Sequence, residues 1–334
     1  MAIKKLKNYK TDAFMTHSPF HFQEGYQIQI ENRNKNCSHT EIDTLALKGL
    51  LNSVDFEILK LLGTYCYVNT HNLNYALNHT LPENYRKQDY KRNLKKLSDA
   101  GILLKYSICM QTDGEGSARQ IVSPLRFYSL SPGARSYISS LMEVPYISNQ
   151  TLPAYRIIEL MAAAQLLIRF QASYRNSVKK ILFNLHKQIG SHLLLLDAYI
   201  RYSASQGDSS SPAVHLFLLC GRDNGDNYAD IVLRSRLLFC WLDRRKEEYP
   251  CHMILLLLES ISDIPPVYLQ VRKPYMSGKT GITDSLYPLY FTLDTNVLVQ
   301  PLFDALYQCE IEEDSGRCKI SKISLGMAAS LCHG

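Results

Sequence analysis

NLKKLSDAGILLKYS, residues 93–107, is the stretch where the chain changes period. Leu94 and Leu97 lie three apart, and Tyr90, four before Leu94, extends the same apolar stripe, as on one face of a helix. Asp99 is the last residue that fits. Gly101 follows at the position where a left-handed residue commonly closes a helix. From Ile102 the pattern is extended. The spacing predicts a helix from Glu83 or Asn84 to Asp99 and a strand over 102–110.

The pattern continues in both directions. QTDGEGSAR, 111–119, is a polar, glycine-containing loop between two strand-like runs, the second over 120–130. A further helix starts near Ser131. On the N-terminal side, Thr70 is placed to cap a short helix carrying Leu73, Ala76 and Leu77. A turn through His79, Thr80, Leu81 and Pro82 follows it. Residues 65–68 read as an extended link. Ser53 or Asp55 is placed to cap a helix with Phe56, Ile58, Leu59 and Leu62, and another helix covers 40–51. Residues 1–40, with NRNKN at 32–36, read as a polar arm.

The order of helices, strand, long loop, strand and closing helix resembles a winged helix-turn-helix domain. NLKKLSDAGILLKYS is similar to the end of a recognition helix entering the first wing strand. RFYSLSPGARSYI, 126–138, is similar to the closing strand and the start of the last helix. The resemblance covers about 50–140 and implies DNA binding. The acid-containing loop departs from short basic wings, so the resemblance carries no wing-to-DNA contact.

The charge pattern points the same way. Residues 1–150 hold 18 Lys/Arg against 13 Asp/Glu, and residues 151–334 hold 19 against 18, of a total net charge of +6. Six basic residues lie between 86 and 96, against one acid, Asp89. Set opposite Tyr90, Leu94 and Leu97, the residues Tyr85, Gln88, Arg92, Lys95 and Lys96 form the candidate DNA face, with Lys91 on its flank. Lys and Arg neutralise phosphates, while Gln88 and Arg92 suit base edges. Two other readings of the same pattern are a solvated amphipathic helix and a protein-binding module with no DNA role.

After a linker at 148–153, residues 154–334 read as an α/β domain with a mixed sheet. Helices are expected over 154–170, 174–188 and 228–248, and strands over 192–202, 214–220, 253–258 and 289–293. The continuous apolar strands at 214–220 and 253–258 suit a sheet covered on both faces. SGKT, 277–280, lacks the first glycine of a phosphate loop, where Lys273 stands. GRDNGDN, 221–227, lacks GxGxxG and reads as a turn. Asp197, Glu259 and Asp294 lie in or beside predicted strands, as the acids of a metal-dependent nuclease would. No D…ExK set accompanies them, because Glu259 is followed by Ser260 and Ile261. The nuclease is therefore the alternative reading, and no catalytic residue is assigned.

The whole layout, winged helix then α/β domain, resembles the replication-relaxation proteins of Gram-positive plasmids and conjugative elements. That resemblance implies a second domain like a degenerate restriction-nuclease fold. It also implies a role accessory to replication, transfer or transcription of a mobile element. Composition sets the remaining expectations. The 334 residues are 46% apolar and 20% charged, as in an ordinary globular chain. No apolar run reaches the roughly 18–20 residues of a membrane span, and no secretory signal opens the chain. The nine cysteines are odd in number and lack a CxxC pair, so reduced thiols in a cytoplasmic protein are expected. His17 and His21 are four apart with Pro19 between them, which argues against a shared helical face; no metal or cofactor is expected. The expected partners are double-stranded DNA and, through the second domain, another protein or a second copy.

Overall fold

The computed structural model describes residues 18–22, 25–32, 36–81, 90–111, 119–142, 152–203, 213–223, 225–226, 228–272, 287–299, 306–312 and 317–331. These form two compact units, one of residues 22–168, the other of 18–21 with 169–331. The fold is mixed α and β, with one sheet in each unit.

The first unit runs β1 (Tyr26–Ile30), α1 (His39–Leu47), α2 (Ser53–Tyr65), β2 (Val68–Asn69), α3 (Thr70–Thr80), α4 (Lys91–Asp99), β3 (Leu103–Gln111), β4 (Arg119–Leu130) and α5 (Pro132–Met142). Its strands pair antiparallel in the order β1-β3-β4-β2. Strand β1 lies inside the stretch read as an arm. YQIQI is short and half polar, and what makes it a strand is its ladder with β3, from Tyr26 opposite Met110 to Ile30 opposite Tyr106.

The helix ends follow local rules, with two corrections. Asn52, not Ser53 or Asp55, caps α2. Its side chain accepts from the Asp55 N–H at 3.0 Å, and Asp55 accepts from the Asn52 N–H at 2.8 Å, a reciprocal box. Asn69, not Thr70, caps α3 by accepting from the Asn72 N–H at 2.8 Å. Helix α4 ends as expected. Gly101 has φ 73°, which lets Ile102 N–H donate to Leu97 C=O at 3.0 Å and Gly101 N–H to Ser98 C=O at 3.1 Å.

The division between units falls within α6 (Ala154–Ser173). The rest of the second unit is β5 (Val178–Ile189), β6 (His192–Ser203), β7 (Ala213–Cys220), α7 (Ala229–Asp243), β8 (His252–Leu258), a 3₁₀ turn (Ile261–Asp263), α8 (Ile264–Arg272), β9 (Leu289–Leu293), α9 (Asp294–Val299), β10 (Leu306–Ile311), β11 (Cys318–Ile323) and α10 (Leu325–Leu331). Seven strands form one sheet in the order β11-β10-β9-β8-β7-β6-β5. Strands β7, β8 and β9 are parallel and the outer pairings antiparallel. Helices α7 and α8 cover one face through Ile231, Leu238, Trp241, Ile264 and Val267, packed on Phe217, Leu219, Ile254, Leu256 and Phe291.

The helix expected over 174–188 is strand β5. Ile181, Leu182, Leu185 and Ile189 have helical spacing. The chain instead turns back at Gly190, φ 59°, and pairs along β6 from Ile189 opposite His192 to Val178 opposite Tyr202. Strands β10 and β11 carried no expectation. Their alternation is short, and they are held by pairing with each other and with β9. The eight described cysteines are free thiols. No helix among the described residues is long and apolar enough to cross a membrane.

Candidate functional site

Tyr90, Leu94 and Leu97 are buried, so α4 faces the core with the stripe that its spacing assigns there. Lys91, Arg92, Lys95 and Lys96 lie on the other side, all four exposed. Tyr85 and Gln88 lie outside the described residues.

The four cations are not equivalent. Lys95 pairs with Asp99 one turn on, at 2.5 Å, with both side chains well exposed. Such a pair is worth only a few tenths of a kcal/mol, roughly, so it hardly opposes redirection of Lys95 to a phosphate. Lys96 is more firmly placed. Its ammonium pairs with Asp55 and donates to the Leu50 C=O at 3.3 Å. Asn93 donates to the other Asp55 oxygen at 2.9 Å. The wholly buried Asp55 carboxylate thus caps α2 and fixes the angle at which α4 lies against it. Lys95–Asp99 could be found by its i,i+4 spacing, whereas Asp55 is 41 positions from Lys96 and has no such signal.

On the hairpin, Lys105 of β3 and Arg126 of β4 converge on Glu31, at 2.5 and 2.7 Å. Burial raises the proton affinity of Glu31. The Lys105 hydrogen bond and charge, with the Arg126 charge, outweigh burial and hold the carboxyl below its usual range. These two cations therefore share one carboxylate within the unit.

In the second unit the parallel strands end together, with Cys220 opposite Leu257 and Leu258 opposite Leu293. Their carboxyl ends are where open α/β sheets commonly bind ligands. Arg222 follows β7, Glu259 follows β8, and Asp294 follows β9. The Arg222 guanidinium reaches Asp294 at 3.0 Å and Glu259 at 3.7 Å, and donates to the Gly221 C=O at 2.7 Å. A Cβ at Gly221 would meet the Ile231 side chain at 2.6 Å, so that side chain would have to shift. Ser18 donates to the second oxygen of Asp294, and His21 Nδ1 lies 3.3 Å from Glu259. Burial raises the proton affinity of Glu259, and so does the neighbouring Asp294 charge; burial likewise raises that of Asp294, with Arg222 opposing in both cases.

Asp197 belongs to a separate cluster. It sits on β6, wholly buried, accepting from the Cys220 N–H at 2.7 Å and pairing with Arg234 of α7 at 2.9 Å. Arg234 also donates to the Cys220 C=O at 2.6 Å and pairs with Asp230 at 2.7 Å. The three acids singled out from sequence thus divide between two guanidinium groups. Removing Arg222 or Arg234 costs about 3–5 kcal/mol, because the buried Asp294 or Asp197 charge is stranded. Arg222 and Arg234 escaped the sequence reading. The available signals were a glycine-arginine step at the end of an apolar strand and the i,i+4 pair of Asp230 and Arg234. Among the described residues no group of three His, Cys, Asp or Glu side chains is arranged to hold a metal. In comparisons with protein families, curated proteins and solved structures, nothing matches this chain.

Proposed function

We propose that the chain binds double-stranded DNA, with α4 laid against the major groove. The order α2, β2, α3, α4, β3, β4, in which β2 pairs with β4 and β3 with β4, supports reading the first unit as a winged helix-turn-helix. One observation carries the proposal: α4 buries Tyr90, Leu94 and Leu97 while turning four cations within six residues away from the core. A phosphate-contacting helix needs that division.

The wider role, accessory to replication, transfer or transcription of a mobile element in the cytoplasm, rests on the two-part layout. The second unit is read as a degenerate restriction-nuclease-like domain that binds a protein partner or a second copy. Asp197, Glu259 and Asp294 are engaged by Arg234 and Arg222, which supports a binding role over cleavage.

Lys91→Ala with Arg92→Ala, made in the full chain, tests the DNA reading. Lys95 and Lys96 are left in place, because Lys96 also anchors Asp55. If each replaced residue meets one phosphate, the plot of log affinity against log salt should flatten by about 1.8, at 0.9 per contact. Binding to random duplex should weaken at every salt concentration. Wild-type affinity and slope in this variant would show that α4 does not read DNA.

A further inference from the structure

Lys180 of β5, Arg201 of β6, His215 of β7 and His252 of β8 form one row across four neighbouring strands. Lys180 is directly opposite Arg201, Arg201 opposite His215, and His215 opposite His252. Residues paired in this way share a face of the sheet, and at ~4.8 Å per strand the row is about 14 Å long. Lys180 and Arg201 are exposed, His252 is half-buried, and His215 is buried. Among the described residues, neither Lys180 nor Arg201 forms an ion pair.

Like charges placed directly opposite destabilise a sheet. Residues 160–196 contain no Asp or Glu but carry Arg169, Arg175, Lys179, Lys180 and Lys187. Lysines on an edge strand commonly deter edge-to-edge association, and β5 is an edge. That accounts for Lys180 alone, because Arg201 is on β6, which is paired on both sides.

The next row on the same face, Leu182, Tyr199, Phe217 and Ile254, is apolar and packs into the core under α7. The end of the row that carries Lys180 and Arg201 is therefore the margin where this face emerges. Tyr199 and His215 share a hydrogen bond of 2.8 Å, and Tyr249 packs edge-on against the imidazole at 5.1 Å between ring centres. Burial, then the charges of Arg201 and His252, oppose protonation of His215, as expected in a positive local field.

We propose that this row binds the phosphodiester backbone of a nucleic acid, as a second contact surface separate from α4. Lys180 and Arg201, on adjacent strands ~4.8 Å apart, are the two cations that meet the phosphates. The site stands independently of α4.

The test is Lys180→Thr with Arg201→Thr in the full chain, since threonine suits a strand. A fluorescein-labelled random duplex and its single strand are the probes, read by anisotropy between about 50 and 200 mM salt. Each threonine removes one phosphate contact, so the fall in affinity over that range should shrink roughly tenfold. The same change should appear when the pair is combined with Lys91→Ala and Arg92→Ala. The charge-conserving swap Lys180→Arg with Arg201→Lys should retain binding. The melting temperature of the threonine variant should equal or exceed that of wild type, which separates weakened binding from failed folding. Parental affinity and slope in that variant would overturn the proposal and leave the row a solvated margin. Loss of binding to phosphatidylserine vesicles with DNA binding unchanged would overturn it in favour of a membrane surface.

Discussion

Glu259 and Asp294 share a single guanidinium, and they do not share it equally. Arg222 is 3.0 Å from Asp294 and 3.7 Å from Glu259, and Ser18 adds a donor to Asp294 alone. Burial raises the proton affinity of both carboxyls, and at Glu259 Arg222 and His21 oppose it without outweighing it. A carboxyl whose folded-state pKa lies above its ordinary value of 4.5 binds more protons folded than unfolded. Stability then falls as pH rises through the window between those two values, and the cost persists above it. Glu259→Gln, neutral at every pH, should raise the melting temperature at neutral pH. That gain should vanish as pH falls toward about 4.5, below which the wild-type group is protonated in both states. A variant that melts lower than wild type at neutral pH would show that the ion pair with Arg222 outweighs burial.

Helix α4 makes a contrast testable at the level of one element. Leu94 is buried between Tyr90 and Leu97, while Lys95 is exposed and pairs with exposed Asp99. Leu94→Ala should cost on the order of 2–5 kcal/mol, through the burial it removes and the cavity left behind. Lys95→Ala should change stability by less than about 0.5 kcal/mol. Chemical denaturation of the full chain would measure both, and equal small effects would mean the helix lies loosely on the surface. The phase of α4 was legible because a helical stripe is local, repeating within three or four residues. Its closure at Gly101 was legible for the same reason. The Asp55 anchor was not, since it joins elements distant in sequence. Strand β5 was misread because Ile181, Leu182, Leu185 and Ile189 satisfy a helical period and only the ladder with β6 decides otherwise. Strands β1, β10 and β11 likewise depend on distant partners. The three acids were visible as residue types; their division between Arg222 and Arg234 follows from strand order, which no local pattern encodes.

At the scale of the whole molecule, the basic row and the acid clusters treat charge in opposite ways. Among the described residues, the row at Lys180 and Arg201 leaves its cations without ion pairs, whereas Asp197 is paired with Arg234, and Glu259 and Asp294 share Arg222. A divalent ion would have to displace a buried guanidinium to reach Asp197 or Asp294. Incubation of the full chain with supercoiled plasmid and Mg²⁺ or Mn²⁺ should accordingly leave the plasmid intact. Nicking that disappears with Asp197→Asn or Glu259→Gln would establish the nuclease reading instead.

The hydrogen bond from Ser18 to Asp294 spans 276 positions. On a ribosome adding about 5–20 residues per second, Ser18 emerges roughly 14–55 s before the carboxylate it will meet. For that interval the nascent segment around Phe20, buried in the finished fold, has no place to go. The first residues of the second unit therefore meet Asp294 only in a chain whose synthesis has passed β9.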